Sequence, residues 1–420
     1  ESPFGQGDTV EIRAYNPETD LEGVTRIWRE VGWIDASDDP DKGLEAFAAG
    51  YDGLVAVIDG SPECYVATGS GSIRYLSEDL PLSVVTAVTT SHVARRQGLA
   101  KKLTAQSIAR DAAGGAAVSA LGMFDQGYYN QLGFGTGPYE YWHGIDPAAI
   151  RVPVTARPPK RLTKDDWEAI HAARLNRRRG HGSCNLDSVA ATRAEMQWAS
   201  NGYGLGYADG PNGEITHHLW FSTKAMEFGP LNAWWYSFET TDQFLELMAL
   251  LVHLGDNVQL VRMREPAGIQ LQDLLHQPFR RRRITEKSEY ENRARAAAYW
   301  QMRMCDIPEC LAATKLQGEA VRFNLKVSDP IAALLDEDAA WRGVAGDYVV
   351  TLGAESSAIS GSDPELPVME ATVNAFTRLW LGVKPATGLA ATDDLSAPPD
   401  LLNELDRVLR LPTPKPDWDF

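Results

Sequence analysis

Cysteine is scarce. Cys64, Cys184, Cys305 and Cys310 are the only four in 420 residues, and no two form a CxxC pair. A disulfide framework is therefore not expected, and reduced thiols in a cytoplasmic protein are the default reading. Positive charge is also short: 40 Lys and Arg stand against 57 Asp and Glu, a formal net charge of −17. That excess repels phosphate backbones and anionic lipid, which argues against nucleic acid or a membrane as partner. It suits a cationic small molecule drawn in by the long-range field, beside its ordinary contribution to solubility. No apolar run approaches the ~18 residues a membrane helix needs. Glu1-Ser2-Pro3-Phe4 has neither a basic start nor an apolar stretch, so no signal peptide is expected there, and a first residue other than Met fits prior processing.

Apolar residues make up 44% of the chain and charged ones 23%. That is enough for sizeable cores in two or three domains of ordinary size. Residues 10–150 read strand, helix, paired strands, strand, helix, strand, the order of a mixed α/β sheet. Val152 to Lys160, with Pro153, Pro158 and Pro159, reads as a linker. A second α/β region follows to about Arg295. Its best helix is Thr241 to Leu254, with Thr241 as the expected cap and Gly255 as the stop. The third region begins near Trp300, alternates as a strand over Val321–Val327, and places Asn374 as the expected cap of a helix. Every second residue from Pro412 to Pro416 is Pro, so the tail 412–420 cannot be helical.

One stretch organises the rest. Val84 to Thr90 is β-branched or small and reads as a strand; Arg95-Arg96-Gln97-Gly98-Leu99-Ala100 is a tight loop; an Ala/Lys/Leu-rich run continues as a helix. The first backbone N–H groups of a helix lack partners and the dipole is positive there, so the loop is a ready anion site. Gly98 lets a phosphate approach the backbone, and small Ala100 does not block it. Arg177-Arg178-Arg179-Gly180-His181-Gly182 repeats the pattern more closely, but no strand leads into it, so it reads as a loop. His181, Cys184, His217 and His218 fit no standard zinc spacing, so surface histidines, a buried thiol and no metal are expected. Arg280-Arg281-Arg282-Arg283 lacks interleaved aromatics and reads as a solvated face or an ion-paired subunit contact.

Gly127-Tyr128-Tyr129-Asn130-Gln131-Leu132-Gly133-Phe134-Gly135 follows a strand. A tyrosine there can protonate a leaving thiolate if it is well positioned. Taken with Val88–Leu103, this segment resembles the paired motifs of the Eis (enhanced intracellular survival) family of N-acetyltransferases in the GNAT superfamily. Asp306-Ile307-Pro308 and the acidic residue followed by Phe at the end of the chain extend the resemblance. Ala87 stands where that family has a bulky aromatic, and Gly122-Met123-Phe124-Asp125-Gln126 departs from its Ala-Ser-Glu-Gly lead-in.

The resemblance implies an α/β (α+β) fold: a GNAT domain over 1–152, a degenerate GNAT-like domain over 153–297, and a sterol-carrier-protein-like domain over 298–420. It implies an acetyl-CoA-dependent N-acetyltransferase acting on primary amines of a cationic, aminoglycoside-like molecule, in a homo-oligomer that can be a hexamer. Val88 and Thr90 would hold the pantetheine arm. Arg95, Arg96, Gln97, Gly98, Leu99 and Ala100 would hold the pyrophosphate. Tyr129 would be the acid and the Phe420 carboxylate the base, with Trp33, Asp35 and Asp419 toward the substrate. A free α-carboxylate, with a pKa of ~3.5, is a weak base in water; burial and the like charges of Asp417 and Asp419 are expected to strengthen it. A protein lysine or a polyamine is the alternative acceptor. A lipid-binding protein with vestigial GNAT domains is the alternative of another class.

Overall fold

The computed structural model describes residues 10–34 and 41–420. They form two compact units: residues 10–34 and 41–138 with His181–Ser188 and Tyr299–Phe420, and Tyr139–Gly180 with Val189–Ala298.

The first unit begins with β1 (Val10–Ala14) and α1 (Pro17–Glu30). Local chemistry sets where the helix starts. Asn16 accepts the Glu18 N–H, Pro17 supplies a preset φ, and Glu18 and Asp20 meet the positive end of the dipole. There follow α2 (Asp41–Gly50), β2 (Asp52–Ile58), β3 (Ser61–Tyr75), β4 (Glu78–Thr90), α3 (Leu99–Ala113), β5 (Val118–Gly122), α4 (Gln126–Asn130) and β6 (Gly135–Thr136). The sheet runs β1-β2-β3-β4-β5, then strand Trp300–Met304, then β6. Only β4 with β5 is parallel along this path. Leu103 and Ile108 of α3 pack into a core with Cys64, Val66, Val85 and Leu121.

The second unit holds a seven-stranded sheet that includes Glu140–Ile145 between Val261–Arg264 and Arg293–Ala297. The chain therefore leaves the first sheet before residue 140, touches it again where Cys184–Leu186 pairs with β3, and rejoins it at Trp300, whose strand is buried at all five positions. Helix Thr241–Leu254 buries Phe244, Leu247, Met248 and Leu251. Its cap is Thr240, one residue before the expected Thr241, because Thr240 and Gln243 form a reciprocal capping box.

In the first unit a separate five-stranded sheet is built on Val321–Ser328, which alternates as expected, with Gly346–Leu352 and Val368–Thr372 on its two sides. Thr372 caps the helix Val373–Trp380, which frees Asn374 for another task. Among the described residues no helix is long and apolar enough to cross a membrane.

Arg303 and Asp329 are a fully buried ion pair at 2.6 Å. Asp329 also accepts the Ile331 and Val344 N–H groups, and Arg303 donates to the Leu132 carbonyl. Removing one partner of such a pair strands a buried charge. Arg303→Met should therefore cost about 3–5 kcal/mol in urea denaturation, and a loss below about 1 kcal/mol contradicts the role given to the pair.

In the second unit, His218 is wholly buried and accepts the Trp235 indole N–H at 3.1 Å. Burial, then the Arg174 charge, hold it neutral, with its pKa pulled down to about 3. The unfolded chain protonates this residue near pH ~6.5. Its stabilising contribution is complete above that pH and falls by about 1.4 kcal/mol per unit as pH drops. In His218→Gln, which keeps an acceptor for Trp235, stability should fall less steeply by that amount between about pH 6 and 4. An unchanged slope contradicts a buried neutral imidazole.

Candidate active site

The site is built where β4 and β5 part. Their pairing covers Leu82–Val85 with Val118–Leu121, while β4 continues to Thr90. Opposite β3, a bulge adds one residue to β4: Tyr65 to Ala67 faces Thr89 to Thr86. Ala87, in the bulge, takes a left-handed φ of 54°. Bulges bend a strand and raise its twist. The backbone of Val88 and Thr90 thus borders the split, beyond the last β4–β5 pair.

After β4 comes a single 3-10 turn, His92–Ala94, and then the loop that opens α3. Arg96 and Gly98 both have positive φ, 63° and 77°. These two turns lead directly into the first turn of α3, whose N–H groups have no partner within the helix. A Cβ on Gly98 would meet nothing within 4 Å. The glycine therefore serves the left-handed turn, and the space above it is open. Arg95 and Arg96 are exposed beside it, Gln97 is half-buried and donates to the Val93 carbonyl, Leu99 is buried, and Ala100 is half-buried. An anion fits this cradle.

Tyr129 lies in α4, directly after β5, and is buried. Asp125 caps that short helix by accepting the Gly127 N–H at 2.8 Å. Burial raises the Tyr129 phenol well above its ordinary value, with Tyr128 adding to it. Burial likewise pushes Tyr128 up to about 12. Both are protonated donors at neutral pH.

The turn that carries Tyr129 is held by side chains from the far end of the sequence. The Gln301 amide donates to Asn130 Oδ1 at 2.7 Å and Thr136 Oγ1 at 2.9 Å. Arg303 donates to the Leu132 carbonyl. Asn374 Nδ2 donates to the Asn130 and Phe134 carbonyls at 2.9 and 2.8 Å. Sequence reading missed all three. Asn374 was legible only as a helix cap, the role Thr372 takes.

Phe420 reaches the end of β5. A Cβ on Gly122 would come within 2.8 Å of the Phe420 backbone oxygen, so glycine makes room for the last residue. Trp418 is buried, and the Tyr299 hydroxyl donates to Asp419 at 3.4 Å. Trp33 is 56% exposed and tilts against Trp28, whose ring meets Phe47 and Tyr65. Tyr65 is the register partner of Thr89, which brings this aromatic cluster to the bulge. Asp35 lies outside the described residues.

The histidines expected at the surface are buried: His181, His217 and His218 are all under 9% exposed. His217 pairs with Glu246, and adjacent His218 with Trp235. Asp209, His217 and Glu246 are close enough to share an ion, but the Arg157 guanidinium bridges the two carboxylates. Arg280–Arg283 lie on the helix Pro278–Thr285, none of whose residues is buried, and Arg281 pairs with Asp146 at 3.0 Å.

No protein-family model matches this chain, and no curated protein matches it. Solved structures do. A conserved protein of unknown function from Enterococcus faecalis V583, described as a probable N-acyltransferase, has a TM-score of 0.78 at 16% identity, over 98% of this chain and 100% of that one. A GCN5-related N-acetyltransferase from Anabaena variabilis gives 0.77 at 14%, over 98% and 100%. Eis1 from Mycobacterium abscessus gives 0.74 at 15%, over 98% and 100%. Along nearly its whole length, this chain has the fold of these proteins.

Proposed function

We propose that the protein transfers an acetyl group from acetyl-CoA to a primary amine of a cationic small molecule, of which an aminoglycoside is the family expectation. The observation that carries this reading is the coincidence, at the carboxyl ends of parallel β4 and β5, of an anion cradle, a strand split and a buried protonated phenol. In this reading the amides of Arg96 to Ala100 hold the pyrophosphate, with Arg95 and Arg96 adding charge. Val88 and Thr90 hydrogen-bond the pantetheine arm. The amine nitrogen attacks the thioester carbonyl, the C–S bond breaks, and Tyr129 gives its proton to the departing thiolate. The α-carboxylate that Phe420 carries in this chain accepts the amine proton. Asp419 and Trp33 flank the amine. A cytoplasmic homo-oligomer, up to a hexamer, belongs to the same reading.

The lipid-binding alternative is less well supported. The 640 Å³ cavity on the five-stranded sheet has Asp347, Glu370, Asp393 and Asp394 in its wall, and carboxylates are poor company for an acyl chain.

Thiol release from acetyl-CoA, followed with a panel of aminoglycosides and polyamines, tests the reading. Tyr129→Phe should lower kcat about 100-fold, the scale of general acid catalysis, while the KM for acetyl-CoA stays within about twofold. Full activity in that variant contradicts the assigned acid. Absence of turnover with every amine contradicts the reading as a whole.

A further inference from the structure

The loop Arg177–Gly182 carries the phosphate-type pattern, yet its neighbours give it other work. Residues 181–186 add an edge to β3: Ile73, Ser72 and Gly71 pair with Cys184, Asn185 and Leu186. Gly182 donates to the Arg74 carbonyl at 2.7 Å, and Arg74 donates to Ser183 at 2.8 Å. The C-terminal tail adds to the same segment. Lys415 N–H donates to the His181 carbonyl at 3.0 Å, and Cys184 N–H donates to the Pro416 carbonyl at 2.7 Å. Proline at 412, 414 and 416 removes every second N–H. A regular ladder is thus unavailable, and the tail depends on these bonds and on fit.

The fit is made at Gly182. Its φ is +79°, and a Cβ there would come within 2.6 Å of Pro414 Cβ and 2.8 Å of the Lys415 nitrogen. His181 fixes the segment in turn. Its Nδ1 accepts the Leu76 N–H at 3.2 Å, and its Nε2–H donates to the Leu381 carbonyl at 3.0 Å. Beyond the clamped residues Trp418 is buried, Tyr299 reaches Asp419, and Phe420 meets Gly122.

We propose that residues 181–186 are a clamp that positions the C-terminal tail, and through it the Phe420 carboxylate, at the end of β5. The last glycine of the phosphate-like pattern, Gly182, thus serves that contact. His181, Gly182 and Cys184 are positioning residues. Their kinetic role rests on the acetyl-transfer reading above.

The test uses Gly182→Val and, to leave the clamp itself untouched, Lys415→Pro, which removes the tail's bonded N–H. Hydrogen exchange of the 412–420 peptide and steady-state kinetics with acetyl-CoA and an aminoglycoside are measured on both. Exchange of the tail should speed up about tenfold or more, and kcat should fall about tenfold with the acetyl-CoA KM within about twofold. Unchanged tail exchange in both variants overturns the clamp. A freed tail with full kcat overturns the positioning role. A freed tail in a chain whose parent acetylates nothing supports the clamp and overturns the acetyl-transfer reading instead.

Discussion

A guanidinium and a carboxylate with no access to water, Arg303 and Asp329, tie together parts of the first unit that are distant in sequence. Arg303 belongs to the strand that fills the sheet between β5 and β6. Its second bond goes to Leu132, in the turn that carries Tyr129. Asp329 uses its remaining capacity on Ile331 and Val344, at the end of strand Val321–Ser328. Two charges taken out of water at this cost are kept only where every lone pair and proton finds a partner. The pair therefore fixes the Tyr129 turn against the five-stranded part of the same unit; Asn374 repeats that restraint with neutral bonds, and Gln301 holds the same turn to the first sheet.

That arrangement explains why a site whose proposed cofactor half lies within residues 84–103 also draws on residues after 300. The split between β4 and β5 and the turns at Arg96 and Gly98 are local consequences of one strand and one loop. The groups proposed to move protons are not local. Tyr129 is oriented by residues after 300, and Phe420 arrives along a tail held by residues 181–184. Rigid support of this kind is what a general acid requires, since a misplacement of about 1 Å costs orders of magnitude in rate.

Much of this was legible in the sequence where local chemistry decides the outcome. The β-branched run into Gly98 forecast the strand, loop and helix, and the alternate prolines forecast a tail with no helix. Long-range pairing was not legible. Trp300–Met304 reads as the start of a third region, yet it completes the first sheet, because nothing in five apolar and polar residues names their strand partner. Glu140–Ile145 likewise pairs in the second unit. Thr372 outcompeted Asn374 as a cap, and the freed amide holds the Tyr129 turn. Buried His217 and His218 read as surface residues because Glu246 and Trp235, their partners, are remote in sequence.

The central claim is that the loop at 95–100, and not its closer match at 177–182, receives the cosubstrate's phosphates. Hydrogen exchange of the intact chain with and without saturating CoA tests it directly. The account predicts slowed exchange in peptides covering 86–90 and 95–103, with 177–184 unchanged. Protection confined to 177–184, or none in either loop, contradicts it.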